Sequence, residues 1–299
     1  MLSLLRFGQW SKSLLVFVPF LLTLNSMEDL GLSVLAFLSF ALASSSGYSL
    51  NDALDQEFDK FHPQKKNRPV ASGLVSKNSA FGIAAALAVI SVLVATEINS
   101  QVAIIVVAYL VLVIVYSIWL KKKAIVDVIV LSSFYLFRLL AGASAISVEV
   151  SSWLLSFALF AFISLGFAKR YTELRAPKVP SFVPQKMHST ENGRGYLTAD
   201  SSWVLISGIS MGTLSVLVLA LYLDLGRLES GFLQFLIVPL WAYWILRMWL
   251  TASRETLHHD PTAFAVRDQI SWLVALAMVA LLIFGQSIEE FLEQAWMAI

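Results

Sequence analysis

Cysteine is absent from the 299 residues, which removes disulfides, thiolate nucleophiles and zinc-thiolate sites from consideration. Charge is scarce as well: 14% of the residues are Asp, Glu, Lys or Arg, against about a quarter in soluble domains. No Gly/Ser linker, heptad array or low-complexity block divides the chain, so one membrane domain over residues 1–299 is expected. The opening stretch Met1–Trp10 is mildly amphipathic and no small-residue cleavage site follows it, so no cleavable signal peptide is expected.

What is present is hydrophobic. Apolar residues make up 58% of the chain and the mean hydropathy is +0.75, so water is not its main solvent. Apolar runs recur at the length of about 17–25 residues that a helix needs to cross the hydrocarbon core, and helices alone among open structures satisfy their own backbone in lipid. The expected spans are Ser11–Leu24, Leu32–Leu50, Ala80–Thr96, Val102–Leu120, Ile125–Ile146, Ser151–Phe167, Trp203–Leu223, Phe232–Leu250 and Ile270–Ser287. The fold class is therefore all-α, a polytopic bundle of about nine transmembrane helices.

Lys and Arg are unevenly shared between alternate loops. Asn25–Gly31, Glu97–Gln101, Ser147–Val150 and the tail from Ile288 hold none, and Asp224–Gly231 holds only Arg227. The other side carries Arg6, Lys12, Lys60, Lys65, Lys66, Arg68, Lys77, Lys121, Lys122, Lys123, the cations from Lys169 to Arg194, Arg254 and Arg267. Positive charge stays inside, so the N-terminus and the polar loops Asn51–Ser79, Lys169–Ser202 and Thr251–Gln269 are expected in the cytoplasm. The chain is expected in a bacterial inner membrane. Its function is sought in those loops.

The segment Asn51-Asp52-Ala53-Leu54-Asp55-Gln56-Glu57-Phe58-Asp59 follows the second span with no Gly or Pro to stop the helix. A continuing helix puts Asn51, Asp55 and Asp59 on one face with side chains about 5–6 Å apart, and Asp52 beside them. Like charges repel there, and a helix C-terminus adds partial negative charge. A hard divalent ion offsets both: Mg2+ takes oxygen ligands and joins one or two carboxylates to substrate phosphates. Asn51, Asp52, Asp55 and Asp59 are thus candidate metal ligands and catalytic residues. The plainer reading is a solvated acidic helix end paired with Lys60, Lys65 and Arg68. The cations of His62-Pro63-Gln64-Lys65-Lys66-Asn67-Arg68-Pro69 favour the metal, because a metal-bound diphosphate with Lys and Arg clamps is a common way to hold a charged leaving group.

The pattern Asn-Asp-x-x-Asp-x-x-x-Asp-x-x-His-Pro-x-Lys-x-x-Arg-Pro-x-Ala-x-Gly at Asn51–Gly73 resembles the signature of the UbiA superfamily of membrane prenyltransferases. The resemblance extends from Arg6-x-x-Gln9-Trp10-x-Lys12 to Asp260-Pro261-x-x-Phe264-Ala265-x-x-Asp268. It implies a nine-helix bundle that uses Mg2+ and polyprenyl (di)phosphates. It is closest to the branch of decaprenyl-phosphate phosphoribosyltransferase, which implies 5-phosphoribosyl diphosphate as the soluble sugar donor and a polyprenyl phosphate as acceptor. Nucleic acid is not an expected partner.

Aromatic prenyltransferases of the superfamily bear a second Asp-rich motif after the sixth span. This chain has Ala168-Lys169-Arg170-Tyr171-Thr172-Glu173-Leu174 there, with Glu173 the one acid left. A Lys-Arg pair suits an anionic acceptor, Arg170 gripping it bidentately and Lys169 acting as a point charge. The pair also suits the ordinary role of anchoring a span's cytoplasmic end. A phosphate monoester is already ionised, so the reaction needs no strong general base. Arg138 lies mid-span, where a charged side chain costs on the order of 2.5–3.5 kcal/mol on insertion scales and so faces the bundle interior. It is assigned to substrate phosphate; the plainer partner, Asp127, lies about three turns away along the helix, too far for a direct pair. Lys12, Lys65, Arg68, Arg138, Lys169, Arg170, Tyr171, Glu173, Asp260 and Asp268 form the substrate-binding set.

Weaker signals are His258-His259, which point apart on a regular helix and make a poor metal pair, and Gly193-Arg194-Gly195-Tyr196, which matches the branch. Gly208 and Gly212 form a small-x-x-x-small pair suited to helix packing. Two other readings stand beside the phosphoribosyl transfer. One is an aromatic prenyltransferase in which Glu173 and Asp260 or Asp268 complete the metal site. The other is a transporter or scaffold, which would show broken helices or repeats.

Overall fold

The computed structural model describes residues 2–23, 26–61, 65–175, 194–225, 232–255, 257 and 261–297. All regular elements among them are helical. Leu2–Leu5 and Phe7–Phe17 are 3₁₀ segments, followed by α1 (Val18–Thr23), α2 (Met27–Leu54), α3 (Gln56–Phe61), α4 (Lys77–Thr96), α5 (Ser100–Ile118) and α6 (Val126–Ala145). After these come α7 (Ser152–Arg175), α8 (Ser201–Leu225), α9 (Phe232–Phe235), α10 (Ile237–Ser253), α11 (Pro261–Arg267) and α12 (Gln269–Met297). Among the described residues seven helices are long and apolar enough to cross a membrane, and α12 supplies a further apolar run, Gln269–Gly285. The chain is an integral membrane protein.

The helices gather into two compact units. The first comprises Met1–Val150 with Ala176–Thr198, the second Ser151–Arg175 with Ala199–Ile299. In the first, α2 is the central helix and packs on α4, α5, α6 and the 3₁₀ segments. It does so through small residues: Ala36, Ser39, Ala43, Ser46 and Gly47 are buried, and small side chains let backbones approach closely in lipid. Ser39 Oγ donates to the Ser91 carbonyl at 2.8 Å and Ser46 Oγ to the Ala84 carbonyl at 2.7 Å, fixing α2 against α4. Val16, Phe40, Val102, Val106, Tyr109, Val113 and Ala141 fill the space between α2, α5 and α6. The start of α2 is set by a capping box: Ser26 Oγ accepts from Asp29 N while Asp29 Oδ2 accepts from Ser26 N, both at 3.2 Å.

The first expected span differs from a plain helix. Phe7–Phe17 is wound as 3₁₀, far beyond the usual three or four residues, before α1 begins. The segment is held close from both sides. Trp10 Nε1 donates to Ser45 Oγ at 3.1 Å, and Ser45 Oγ donates to the Leu5 carbonyl at 2.7 Å. On α6, a Cβ at Gly142 would stand 2.0 Å from the Val16 carbonyl oxygen, so only glycine admits this approach.

The second span runs on past Leu50 as expected, with one irregular residue. Asp55 caps α2 at φ −93°, ψ 6°, and α3 starts at Gln56. Helical bonding is kept across the break, since Asp55 N donates to the Asn51 carbonyl and Asp59 N to the Asp55 carbonyl, each at 2.9 Å. In the second unit α7 lies along α8, and α10 packs on both α8 and α12. Gly208 and Gly212 act there as the sequence suggests: a Cβ would meet the Trp249 ring at 2.2 Å and Ile245 at 2.7 Å respectively.

Candidate functional site

In the first unit the four residues of the acidic helix end fall into two cation-centred pairs. Asp52 is buried and accepts from Arg6 Nη2 at 2.5 and 2.7 Å. Arg68 Nη1 donates to Asp52 Oδ1 at 3.1 Å and to Asp59 Oδ2 at 2.7 Å, so one guanidinium bridges two carboxylates. On the other side, Lys121 Nζ donates to Asn51 Oδ1 at 3.1 Å and to Asp55 Oδ1 at 2.5 Å. Repulsion among the acids is thus relieved by three cations of the chain itself, Arg6, Arg68 and Lys121.

Burial shifts two of these side chains. It pushes the Asp59 carboxyl above the usual carboxylate range, with the charges of Arg68 and Lys65 pulling the other way. It pulls the Lys121 ammonium below the usual lysine range, and the Asp55 carboxylate opposes it. Lys121 is buried, with 5% of its surface exposed.

Among the described residues no group of three His, Asp, Glu or Cys side chains converges on one point. Two hard oxygens do converge, Asn51 Oδ1 and Asp55 Oδ1, and the Lys121 ammonium marks the cation position they share. That donor set fits Mg2+ as it commonly binds, through one or two carboxylates with water and substrate phosphate completing the shell.

Lys121 is held by a clasp absent from any one sequence motif. The turn from Lys121 to Val126 joins α5 to α6, and Ile125 within it has φ +67°, a strained value for a β-branched residue. Ile125 N donates to Tyr196 Oη at 2.8 Å. A Cβ on Gly195 would stand 2.4 Å from Ala124 N and 2.6 Å from the Lys122 carbonyl, so glycine alone permits this docking. Arg194 Nη1 donates to Tyr116 Oη at 2.7 Å and pairs with the fully buried Asp127 at 3.4 Å, while Tyr116 Oη donates to Asp127 at 2.8 Å. The Arg-Gly-Tyr segment therefore fastens the turn that presents Lys121. Sequence reading passed over Lys121 because Lys122 and Lys123 disguise it as part of an interfacial charge run.

The remaining candidates are placed as follows. Lys12 is half-buried on the 3₁₀ segment, and Lys65 is half-buried near enough to Asp59 to influence its charge. Arg138 is buried among α2, α5 and α6, bonded to the Phe134 carbonyl, to Ser44 Oγ at 2.6 Å and to Tyr109 Oη at 3.4 Å. In the second unit, Lys169 is half-buried on α7, Arg170 and Tyr171 are buried, and Arg170 pairs with Glu173 one turn on. Asp268 takes Arg247 bidentately at 2.7 and 2.9 Å and accepts from Ser271 N at 2.7 Å, which makes it the cap of α12. Arg247 is therefore paired rather than reaching for the membrane surface. Asp260, His258, His259 and residues 62–64 lie outside the described residues.

The model of the UbiA prenyltransferase family matches residues 13–274. The chain belongs to that family. Among curated relatives, an uncharacterized protein y4nM of Sinorhizobium fredii is 34% identical over 93% of this chain. Nodulation protein NoeC of Azorhizobium caulinodans is 31% identical over 92% of this chain and 89% of its own. Decaprenyl-phosphate phosphoribosyltransferase of Mycolicibacterium smegmatis is 35% identical over 58% of this chain and 57% of its own. The chain spans 54% of the first relative's length. A UbiA homolog from Archaeoglobus fulgidus, solved bound to GPP and Mg2+, superposes with a TM-score of 0.71 at 17% identity, covering 96% of this chain and 98% of its own. That likeness establishes a UbiA-like fold.

Proposed function

We propose that the chain is a Mg2+-dependent transferase that moves a 5-phosphoribosyl group from phosphoribosyl diphosphate to a polyprenyl phosphate at the cytoplasmic face of the bacterial inner membrane. The observation that carries the reading is the convergence of Asn51 Oδ1 and Asp55 Oδ1 on one cation position, the one Lys121 takes, with Arg6 and Arg68 holding the neighbouring Asp52 and Asp59. The relative named for decaprenyl phosphate and phosphoribosyl transfer supports the substrate pair.

A bound Mg2+ supplies charge neutralisation of the diphosphate and holds it in place. Asn51 and Asp55 are the residues to hold that ion, with Asp52 and Asp59 secured beside them by Arg6 and Arg68. An oxygen of the acceptor phosphate attacks C1 of the ribosyl group, the bond from C1 to the diphosphate oxygen breaks, and diphosphate leaves with the electron pair. The nucleophile is already an anion, so positioning and charge stabilisation suffice. Lys121, once released from Asp55, is free to steady the departing diphosphate. On α7, Lys169 and Arg170, with Tyr171 and Glu173 beside them, are the residues proposed to serve the acceptor.

Purified protein given Mg2+, phosphoribosyl diphosphate and a polyprenyl phosphate should yield lipid-linked ribose phosphate, detectable by mass spectrometry, and Asp55→Asn should abolish it. Absence of product from the wild type, beside an active control enzyme, overturns the assignment. Isoprenoid transfer to an aromatic acceptor is the second reading, favoured by the geranyl diphosphate bound to the Archaeoglobus neighbour. Consumption of an allylic diphosphate with quinone precursors, and no phosphoribosyl transfer, would select it.

A further inference from the structure

Arg138 carries a fixed positive charge with 3% of its surface exposed, and among the described residues no carboxylate pairs with it. Its Nε is a buried donor without an acceptor. The groups around it are donors as well. Arg138 Nη2 donates to Ser44 Oγ and Tyr109 Oη, which leaves two hydroxyl protons, and the 3.3 Å contact between those hydroxyls uses only one of them. The rings of Phe40, Tyr109 and Tyr135 lie 5.9, 5.3 and 5.8 Å from the guanidinium carbon and offset part of its charge. What this cluster lacks is an acceptor-rich anion.

Its placement says which anion. Ser44 precedes Asn51 by seven residues on α2, about 10 Å of helix, and shares its face. Tyr109 and Tyr116 stand in the same relation on α5, and the Phe134 ring touches both at 5.3 and 5.5 Å. Arg138 therefore lies about two helical turns deeper than the aspartates, with Val113 and the Phe134 ring between the two levels. A substrate spanning that distance needs two phosphate groups held apart by a sugar or by an in-line reaction centre.

We propose that Arg138, with Ser44 and Tyr109, is a second anion subsite that takes a phosphate monoester while the diphosphate occupies the aspartate site. This rests on the phosphoribosyl-transfer reading. That reaction offers two such monoesters, the lipid acceptor and the 5-phosphate of the donor, and both present the same dianionic oxygens to the guanidinium.

The test is equilibrium binding to the full chain in lipid nanodiscs, using farnesyl phosphate, farnesol, ribose 5-phosphate and Mg2+ diphosphate as probes. Arg138→Met should weaken one of the two monoesters at least about tenfold, the loss expected of a hydrogen-bonded charge, and leave farnesol and Mg2+ diphosphate binding unchanged. The probe that suffers identifies which monoester sits there. Tyr109→Phe and Ser44→Ala, which keep the charge, should weaken the same probe several-fold and decide the matter if Arg138→Met fails to fold. Unchanged monoester affinity in these variants overturns the subsite alone. Equal loss of every probe with a lowered melting temperature marks Arg138 as a brace and also overturns it. A wild type that binds neither monoester overturns the subsite and the transfer reading together.

Discussion

Lys121 and Asp55 are 66 positions apart in the chain and meet at 2.5 Å, a contact that decides how the aspartate site is read. Three aspartates and an asparagine at a helix end invite a metal, and the protein supplies cations of its own beside them. Exchanging Lys121 for Met leaves Asp55 unpaired and removes a cation from the leaving group's surroundings. Turnover should fall by about 10²–10³, the loss typical of one stabilising donor. Lys121→Arg should retain part of it, and steady-state kinetics on both variants checks the point. Asp268 gives a prediction in pH. Arg247 holds its carboxyl below the usual carboxylate range, with Ser271 assisting. A depressed pKa stabilises the fold at pH above the unfolded value of about 3.8 and loses that contribution as pH falls through the folded value. Thermal midpoints followed downward from pH 6 should therefore drop more steeply for the wild type than for Asp268→Asn.

The turn between α5 and α6 shows how one element fixes another. Ile125 is strained, Gly195 admits no side chain, and Arg194 compensates Asp127, so three separate features serve one docking. Gly195→Ala should push the segment off the turn and lower activity through Lys121, with little change in helix content by circular dichroism. Tyr196→Phe removes one hydrogen bond and should cost only about 1 kcal/mol in stability. The aspartate helix was legible in the sequence because its spacing and the missing helix breaker are local properties. The docking was not: Arg194-Gly195-Tyr196 reads as a generic turn until the backbone of Ala124 is seen beneath it. The partner of Asp127 was likewise illegible, because Arg194 comes from beyond the next span.

For the molecule as a whole, bilayer thickness made most spans readable, because a run of about 20 apolar residues has few other uses. The 3₁₀ winding of the first span was not readable, because the close contacts it makes with Gly142 and Ser45 come from other helices and no local pattern announces them. A chain without cysteine is suited to topology mapping with single introduced thiols. Cysteines placed at Lys77 and Lys122 should react with an impermeant reagent in inside-out vesicles, and those at Asn99 and Val148 in right-side-out ones. The reverse pattern would contradict the orientation read from the charged loops. The clasp at Tyr196 has a mechanical corollary. Residues Arg194–Tyr196 and the ammonium beside Asp55 are joined through the single turn from Lys121 to Val126. Loosening the tyrosine from that turn, as Tyr196→Phe does, should therefore be felt at the aspartate site, two contacts away.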